Sequence, residues 1–293
     1  MSKILALILT LLFILFPDEI KKGALSGINA GLFVLIPSLF PYMVISQMFL
    51  KTGASEIINT FTYRFTKKLF RFQKPFSAAY LLSLFCGYPT GARLACELED
   101  CGEREALRLF VFGNVPGFGF CVSFLGSLFG NTRLGIFIYL SFVCASVILN
   151  FLFSFFFKND ENCKADEIIS ESFANAITKS VKESALSILS VIGYAVFFSS
   201  ISNMCGNFIK DKALLAVFSA FCEITSGIPL LCSIASNTVF FAVFFTGFSG
   251  FSVIFQSLSF KKSDFPIMFI LFSRLLFALV SVLVFGVFNF CLK

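Results

Sequence analysis

The sequence predicts an all-α polytopic membrane protein built from two repeats, and three observations predict it. Of 293 residues, 57% are hydrophobic and 45 are phenylalanine, with a mean hydropathy of +0.90, far above a soluble domain. The apolar residues gather into runs at Ile4–Phe16, Ala24–Leu50, Phe76–Cys96, Ala106–Phe129, Leu134–Phe157, Ala185–Gly206, Ala213–Cys232, Thr238–Phe260 and Phe265–Leu292. Most approach the roughly 20 residues that cross a ~30 Å hydrocarbon core, for roughly eight to ten membrane segments in all. Finally, "FCGYPTGARLAC" (Phe85–Cys96) aligns with "FCEITSGIPLLC" (Phe221–Cys232) at a spacing near 135 residues, the mark of an internal repeat.

The elements follow in order. Residues 1–23 hold a short apolar run with Lys3 before it and Pro17-Asp18-Glu19 after it. It has signal-peptide length but no small-x-small cleavage site, so it reads as an uncleaved short span. The first repeat, 24–157, opens with the intact run Ala24–Leu50. Its loop, 51–75, carries Lys51, Arg64, Lys67, Lys68, Arg71 and Lys74 against Glu56, most of the net charge of +6, and the positive-inside bias makes it cytoplasmic. Within it "FTYRFTKKLFRF" interleaves aromatic and basic residues, as in a helix lying on an anionic membrane surface. Nucleic acid is not the expected partner, because the stretch is tethered between membrane segments and forms no binding module. Two interrupted runs come next, broken at "GYPTG" and at "GNVPGFG" (Gly113–Gly119). A linker of mixed charge, 158–184, leads to the second repeat, 185–293, which has the intact run Ala185–Gly206, then breaks at "EITSG" and at "GFSGFS" (Gly247–Ser252). Were the broken segments full crossings, the repeats would be parallel; as re-entrant hairpins they make the repeats inverted, which is the expected arrangement. Lys261 and Lys262 fall on the cytoplasmic side either way.

Gly and Pro inside a membrane helix free backbone groups that lipid cannot satisfy, so a break survives only where protein or a water-lined cavity surrounds it. A single break usually means packing or a kink. Four breaks in two matched pairs point instead to one shared cavity, the midplane site of a secondary transporter. Arg93 follows Gly91 where a helix would restart, so its guanidinium and the first amides suit a carboxylate or phosphate oxygen. The competing reading places Arg93 near the membrane edge, paired with Glu97 at i+4. Glu223 is the lone charge between Ala213 and Phe260. It serves a coupling proton or cation, a gate, a pairing with Arg93, or a strut to Arg274. Asn114, Thr90, Thr225, Ser226 and Ser249, with Gly91 and Gly227, complete the expected binding set, and Asn29, Gln47, Ser252 and Gln256 offer further polar groups. Tyr88 is a candidate lid or stacking surface for a flat ligand.

The chain has no histidine and no tryptophan, which excludes Ser-His-Asp and Cys-His catalysis and His-ligated metals. No paired-acid motif replaces them, so no enzyme activity, metal or cofactor is expected. The ten cysteines form no Cys-x-x-Cys pair and sit mostly in apolar runs, as small reduced hydrophobes.

Five stretches in this order carry a resemblance: "GINAGLFVLIPSLFPYMVIS" (Gly27–Ser46), "CGYPTGARLACEL" (Cys86–Leu98), "FGNVPGFGF" (Phe112–Phe120), "EITSGIP" (Glu223–Pro229) and "GFSGFSVIFQ" (Gly247–Gln256). They resemble the YlbJ or SpoVV family of sporulation integral membrane proteins, which carry the nucleoside-recognition, or Gate, domain. The resemblance implies a multi-pass transporter with re-entrant hairpins that moves dipicolinic acid across the outer forespore membrane. Dipicolinate is a flat ring with two carboxylates, apt for an arginine, helix N-termini and an aromatic face. The alternatives are a transporter of nucleosides or other small metabolites, and a sporulation membrane scaffold that transports nothing.

Overall fold

The computed structural model describes residues 2–157, 170–234, 238–260 and 266–291, and no strand occurs among them. Lys261, Lys262 and most of the charged part of the 158–184 linker lie outside the described residues. Five helices are long and apolar enough to cross a membrane: Pro17–Lys51, Thr132–Phe153, Phe173–Cys205, Val239–Leu258 and Ile267–Phe290. The protein is therefore an α-helical polytopic membrane protein.

Helix α1 (Ser2–Leu15) precedes α2 (Pro17–Ala30), which Pro17 opens with a φ already set for helix and Asp18 and Glu19 favour at its positive end. A π-helical turn at Gly31–Leu35, just before Pro37, passes the chain into α3 (Ile36–Lys51). Gly23 and Gly27 press on the backbone of α10 (Phe173–Cys205): a methyl on either would stand 2.5 Å from Ser200 Cα or Val196 Cα. Gly31 meets Ile192 one turn on, so a four-residue glycine spacing brings the two long helices into backbone contact. Helix α10 starts at Phe173, so the last part of the expected linker is helix that continues into the apolar run.

Helix α4 (Ala54–Phe70) buries Ser55, Asn59, Thr66 and Phe70 and turns Ile57, Phe61 and Phe65 outward beside Arg64, Lys67 and Lys68. Its buried face is stitched to α5 (Lys74–Cys86): Asn59 Oδ1 accepts from Ala78 N at 2.8 Å, and the Thr66 and Ser77 hydroxyls meet at 2.5 Å.

Helices α5 and α6 (Thr90–Glu97) form a hairpin. Gly91 lies against Ser83, eight residues back, which a continuous helix would hold about 12 Å away. At 13 and 8 residues, the arms reach only about 20 and 12 Å, too short to cross. The same fold-back joins α11 (Lys212–Cys222) to α12 (Ile224–Ile234), where Gly227 packs on the backbone of Ala220.

Two further segments are broken rather than folded back. Helix α7 (Glu103–Arg108) runs through a π-helical turn, Leu109–Gly113, and then unwinds over 114–117. A second π-helical stretch, Phe120–Leu125, and the short α8 (Gly126–Leu128) complete that path. Helix α9 (Thr132–Phe153) returns, capped by Asn131 Oδ1, which accepts from Leu134 N. In the second half α13 (Val239–Phe248) and α14 (Gly250–Leu258) are separated by Ser249 alone, and α15 (Ile267–Cys291) closes the chain. Eight described cysteines are free thiols.

Candidate functional site

Each hairpin tip packs on the broken segment of its own half. In the first half Gly87, at φ +75°, leaves no room for a side chain against the backbone of Gly117. Tyr88 N donates to Val115 O at 2.9 Å, and Ala92 N donates to Asn114 Oδ1 at 3.3 Å. In the second half Gly250, at φ +63°, sits against Ile224 and the carbonyls of Phe221 and Ala220. All four expected breaks thus exist, and each pair is in contact.

One residue then joins the two halves. Arg274, on α15 and 3% exposed, donates through Nη1 to Val111 O at 3.1 Å and Asn114 O at 2.9 Å. Through Nη2 it donates to Gly247 O at 2.7 Å and to Ser249 Oγ. Three of these four acceptors are backbone carbonyls at the two broken segments, so the guanidinium fills the deficit that lipid cannot. Its planar fork with five donors suits this task, and its face lies 4.9 Å from the Phe277 ring centroid. A second cross-link runs from Asn114 Nδ2 to Ser257 Oγ, 3.1 Å away on α14.

Buried polar atoms without hydrogen-bond partners include Arg274 Nε itself, the Tyr88 hydroxyl, Glu223 Oε2, Thr246 Oγ1 and Gln256 Nε2. Tyr88 is within electrostatic reach of both Arg274 and Glu223. Its ring packs on Phe120, centroids 6.3 Å apart, so it forms part of the wall rather than an open lid. Glu223 is 2% exposed and does not pair with Arg274. Its Oε1 accepts from Thr225 N at 2.9 Å and Thr225 Oγ1 at 2.8 Å, capping α12 where the helix end favours negative charge. Ser252 of α14 lies beside the same carboxyl. Ser249 itself holds φ +82°, a left-handed backbone rare outside glycine and costing on the order of 1–3 kcal/mol. No carboxylate among the described residues is bonded to Arg274.

Of the sequence-derived set, Asn114 and Ser249 bond Arg274 directly and Tyr88 is within its electrostatic reach, while Glu223 and Thr225 bond each other at the second hairpin tip. Ser226 Oγ lies 3.4 Å from both Ser199 Oγ and Glu223 O, and Gly227 serves the fold-back of its hairpin. Thr90 and Gly91 are buried at the first tip, Gly91 against Asn114. Arg93 is elsewhere, with both of its neighbours acidic: Nε is 2.8 Å from Glu97 Oε1 and Nη2 is 3.3 Å from Glu183 Oε2. Lys51 Nζ reaches Glu183 Oε1 at 2.8 Å. Arg274, which the sequence offered only as a strut for Glu223, is the arginine at the breaks.

Space at the centre is tight. The cavity between Phe110, Asn114, Ser249, Ser257 and Arg274 measures about 10 Å³, room for one water. Another of about 10 Å³ lies between Gln47, Thr90, Arg93, Ser184 and Ser187. The breaks are packed closely in this arrangement, with no more than water-sized space beside Arg274 and beside Arg93. Compared with protein-family models, curated proteins and solved structures, the chain shows no match to any of them.

Proposed function

We propose that this chain is a secondary transporter whose substrate is a small organic anion held between the hairpin tips. The observation that carries the reading is Arg274, a buried guanidinium with no acid bonded to it among the described residues, whose own Nε and whose neighbour, the Tyr88 hydroxyl, are left without hydrogen-bond partners. A buried charge without a counter-charge costs several kcal/mol, an expense that an anionic substrate offsets. An aromatic wall from Tyr88 suits a flat ring, and Glu223 takes the coupling or gating role.

The direction of the chain supports inverted repeats. Pro17–Lys51 and α9 are long and apolar enough to cross; in the proposed arrangement the first hairpin returns to its own side and the broken segment from α7 to α8 makes the crossing between them. Three crossings place the start of α10 on the side opposite the start of α2. The second half repeats this order in the opposite sense, which gives each side one hairpin to open. The family resemblance narrows the proposed substrate to dipicolinate and the proposed membrane to the outer forespore membrane.

The test is uptake of labelled dipicolinate into proteoliposomes. Saturable uptake is expected in the wild type and in the exposed-site control Arg133→Gln. Arg274→Lys keeps the charge but cannot span both breaks, and a loss of at least about tenfold is expected while the thermal melt stays cooperative. Competition by nucleosides but not by dicarboxylates would assign the site to a nucleoside instead. No uptake of either solute by the wild type would overturn the transporter reading.

A further inference from the structure

Arg93 does hold a carboxylate, and that carboxylate is supplied by the chain itself. The two oxygens of Glu183, on α10, are read by two cations from two other elements: Oε1 by Lys51 Nζ of α3 at 2.8 Å, Oε2 by Arg93 Nη2 of α6 at 3.3 Å. Gln47, one turn before Lys51 and 5% exposed, completes the cradle. With its amide turned to satisfy both neighbours, it donates to Glu183 Oε2 at 3.3 Å and accepts from Arg93 Nη1 at 3.2 Å. Glu97 holds Arg93 Nε from the far side at 2.8 Å, which fixes the direction of the guanidinium.

Three further features set this cluster apart from an ordinary strut. Its side chains remain partly open to solvent, Lys51 18%, Arg93 24% and Glu183 35% exposed, so the ion pairs are of the kind that exchange partners readily. Directly behind them lies the one-water cavity lined by Gln47, Thr90, Ser184 and Ser187, which reaches the Pro89 turn beside Tyr88. Two cations face two carboxylates here, so one carboxylate of an incoming substrate can take the place of that of Glu183 on the same Lys51 and Arg93.

We propose that Lys51, Gln47 and Arg93 form an entry site for the carboxylate of the substrate, and that Glu183 occupies it as an internal stand-in when no substrate is present. The proposal rests on the transporter reading and adds the route by which its anion arrives. Arrival displaces Glu183 towards solvent, releases α6 from α10, and frees the first hairpin to move. Because α3 and α10 are long packed helices and α6 is a hairpin arm, breaking the link at Glu183 separates the hairpin from its scaffold.

The experiment measures equilibrium binding of pyridine-2,6-dicarboxylate to the purified full-length chain at low salt. Glu183→Gln removes the competitor and is expected to tighten binding about tenfold. Adding Arg93→Gln to that variant is expected to abolish the gain, and adding Lys51→Gln to reduce it. Unchanged or weaker binding in Glu183→Gln would make the residue a strut and overturn the proposal. A second measurement covers misfolding: Ser187→Cys modification by a membrane-impermeant maleimide, read peptide by peptide, should rise about fivefold when Glu183→Gln is added, and no rise would also overturn it. The two readings fail differently. Binding that depends on Arg274 without any gain in Glu183→Gln overturns the entry site alone. A gain that depends on Arg93 in a protein indifferent to Arg274 overturns the central site alone.

Discussion

The hairpins α5–α6 and α11–α12 have the same shape and are secured by different chemistry. The first is fastened along its length. Asn59 and Thr66 hold its outer arm, Asn114 and Val115 O hold its tip, and Arg93 ties its inner arm to Glu183. Helix α9 adds Tyr139, whose hydroxyl donates to Leu84 O at 3.2 Å. The second hairpin is held by hydroxyls, Ser202 to Ser219 at 2.6 Å and Ser199 to Ser226 at 3.4 Å, and its tip carries an acid with the Ser252 hydroxyl of α14 beside it. Two fold-backs of like shape thus differ in how many polar ties hold each in place. Charge-assisted bonds are roughly twice as strong as neutral ones, so the Arg93–Glu183 pair makes the first hairpin the more firmly fastened and the second the looser one.

What the hairpins share is the close approach at their glycines, and breaking it should have the largest effect. Gly227→Ala puts a methyl into the backbone of Ala220, and Gly87→Ala does the same to Gly117 while also demanding φ +75°. Neither neighbour is a flexible side chain that can yield. Both variants are expected to lose more than about 4 kcal/mol and to yield little folded protein, as read by size-exclusion profile and melting in detergent. A well-folded Gly227→Ala would mean that α11 and α12 do not fold back.

Next comes the link between halves. Arg274→Met strips donors from Val111 O, Asn114 O, Gly247 O and Ser249 Oγ. Leaving those groups dry should cost about 3 kcal/mol, and it should affect both hairpins alike. Hydrogen exchange would show it as faster opening at both tips; protection lost at one tip alone would argue that Arg274 serves only that half.

These contacts mark how far the sequence could be read. The positions of all four breaks were legible, because Gly and Pro within apolar runs are local signals with a local cause. So was the choice of Asn114, since an amide inside an unwound stretch has few other uses. Arg274 was visible as a cation in the last apolar run, but its partners are backbone carbonyls, which no side-chain pattern reveals. The contact of α2 with α10 left a signal that went unread: Gly23, Gly27 and Gly31 stand at four-residue intervals on one helix face. Glu183 had none. It lies 90 residues from Arg93 in a stretch that reads as a charged linker, and only the continuation of α10 back to Phe173 brings the two together.

The tips themselves can be compared directly. Asn114→Ala removes the acceptor for Ala92 N and the donor to Ser257 Oγ, both buried, and should cost about 2 kcal/mol. On the second hairpin, Ser226→Ala loses two long bonds of 3.4 Å, to Ser199 Oγ and to Glu223 O, and should cost only about 0.5 kcal/mol. Equal losses would erase the distinction between a fastened and a loose hairpin.

Glu223→Gln should have the smallest effect on stability, and that is what makes it informative. A glutamine oxygen can still accept from Thr225 N and Thr225 Oγ1, so the cap on α12 survives. No cation is bonded to the carboxyl among the described residues, so no ion pair is lost. If Glu223 were present only to hold the second tip, an amide would serve equally well, and the melt should shift by no more than about 0.5 kcal/mol. An acid buried to 2% exposure with one unpartnered oxygen is a costly way to build a cap. A folded Glu223→Gln protein that has lost driven uptake but keeps exchange of labelled for unlabelled substrate would assign the acid to coupling. A loss of several kcal/mol would return it to structure, and the looser hairpin would then owe its tip to the charge itself.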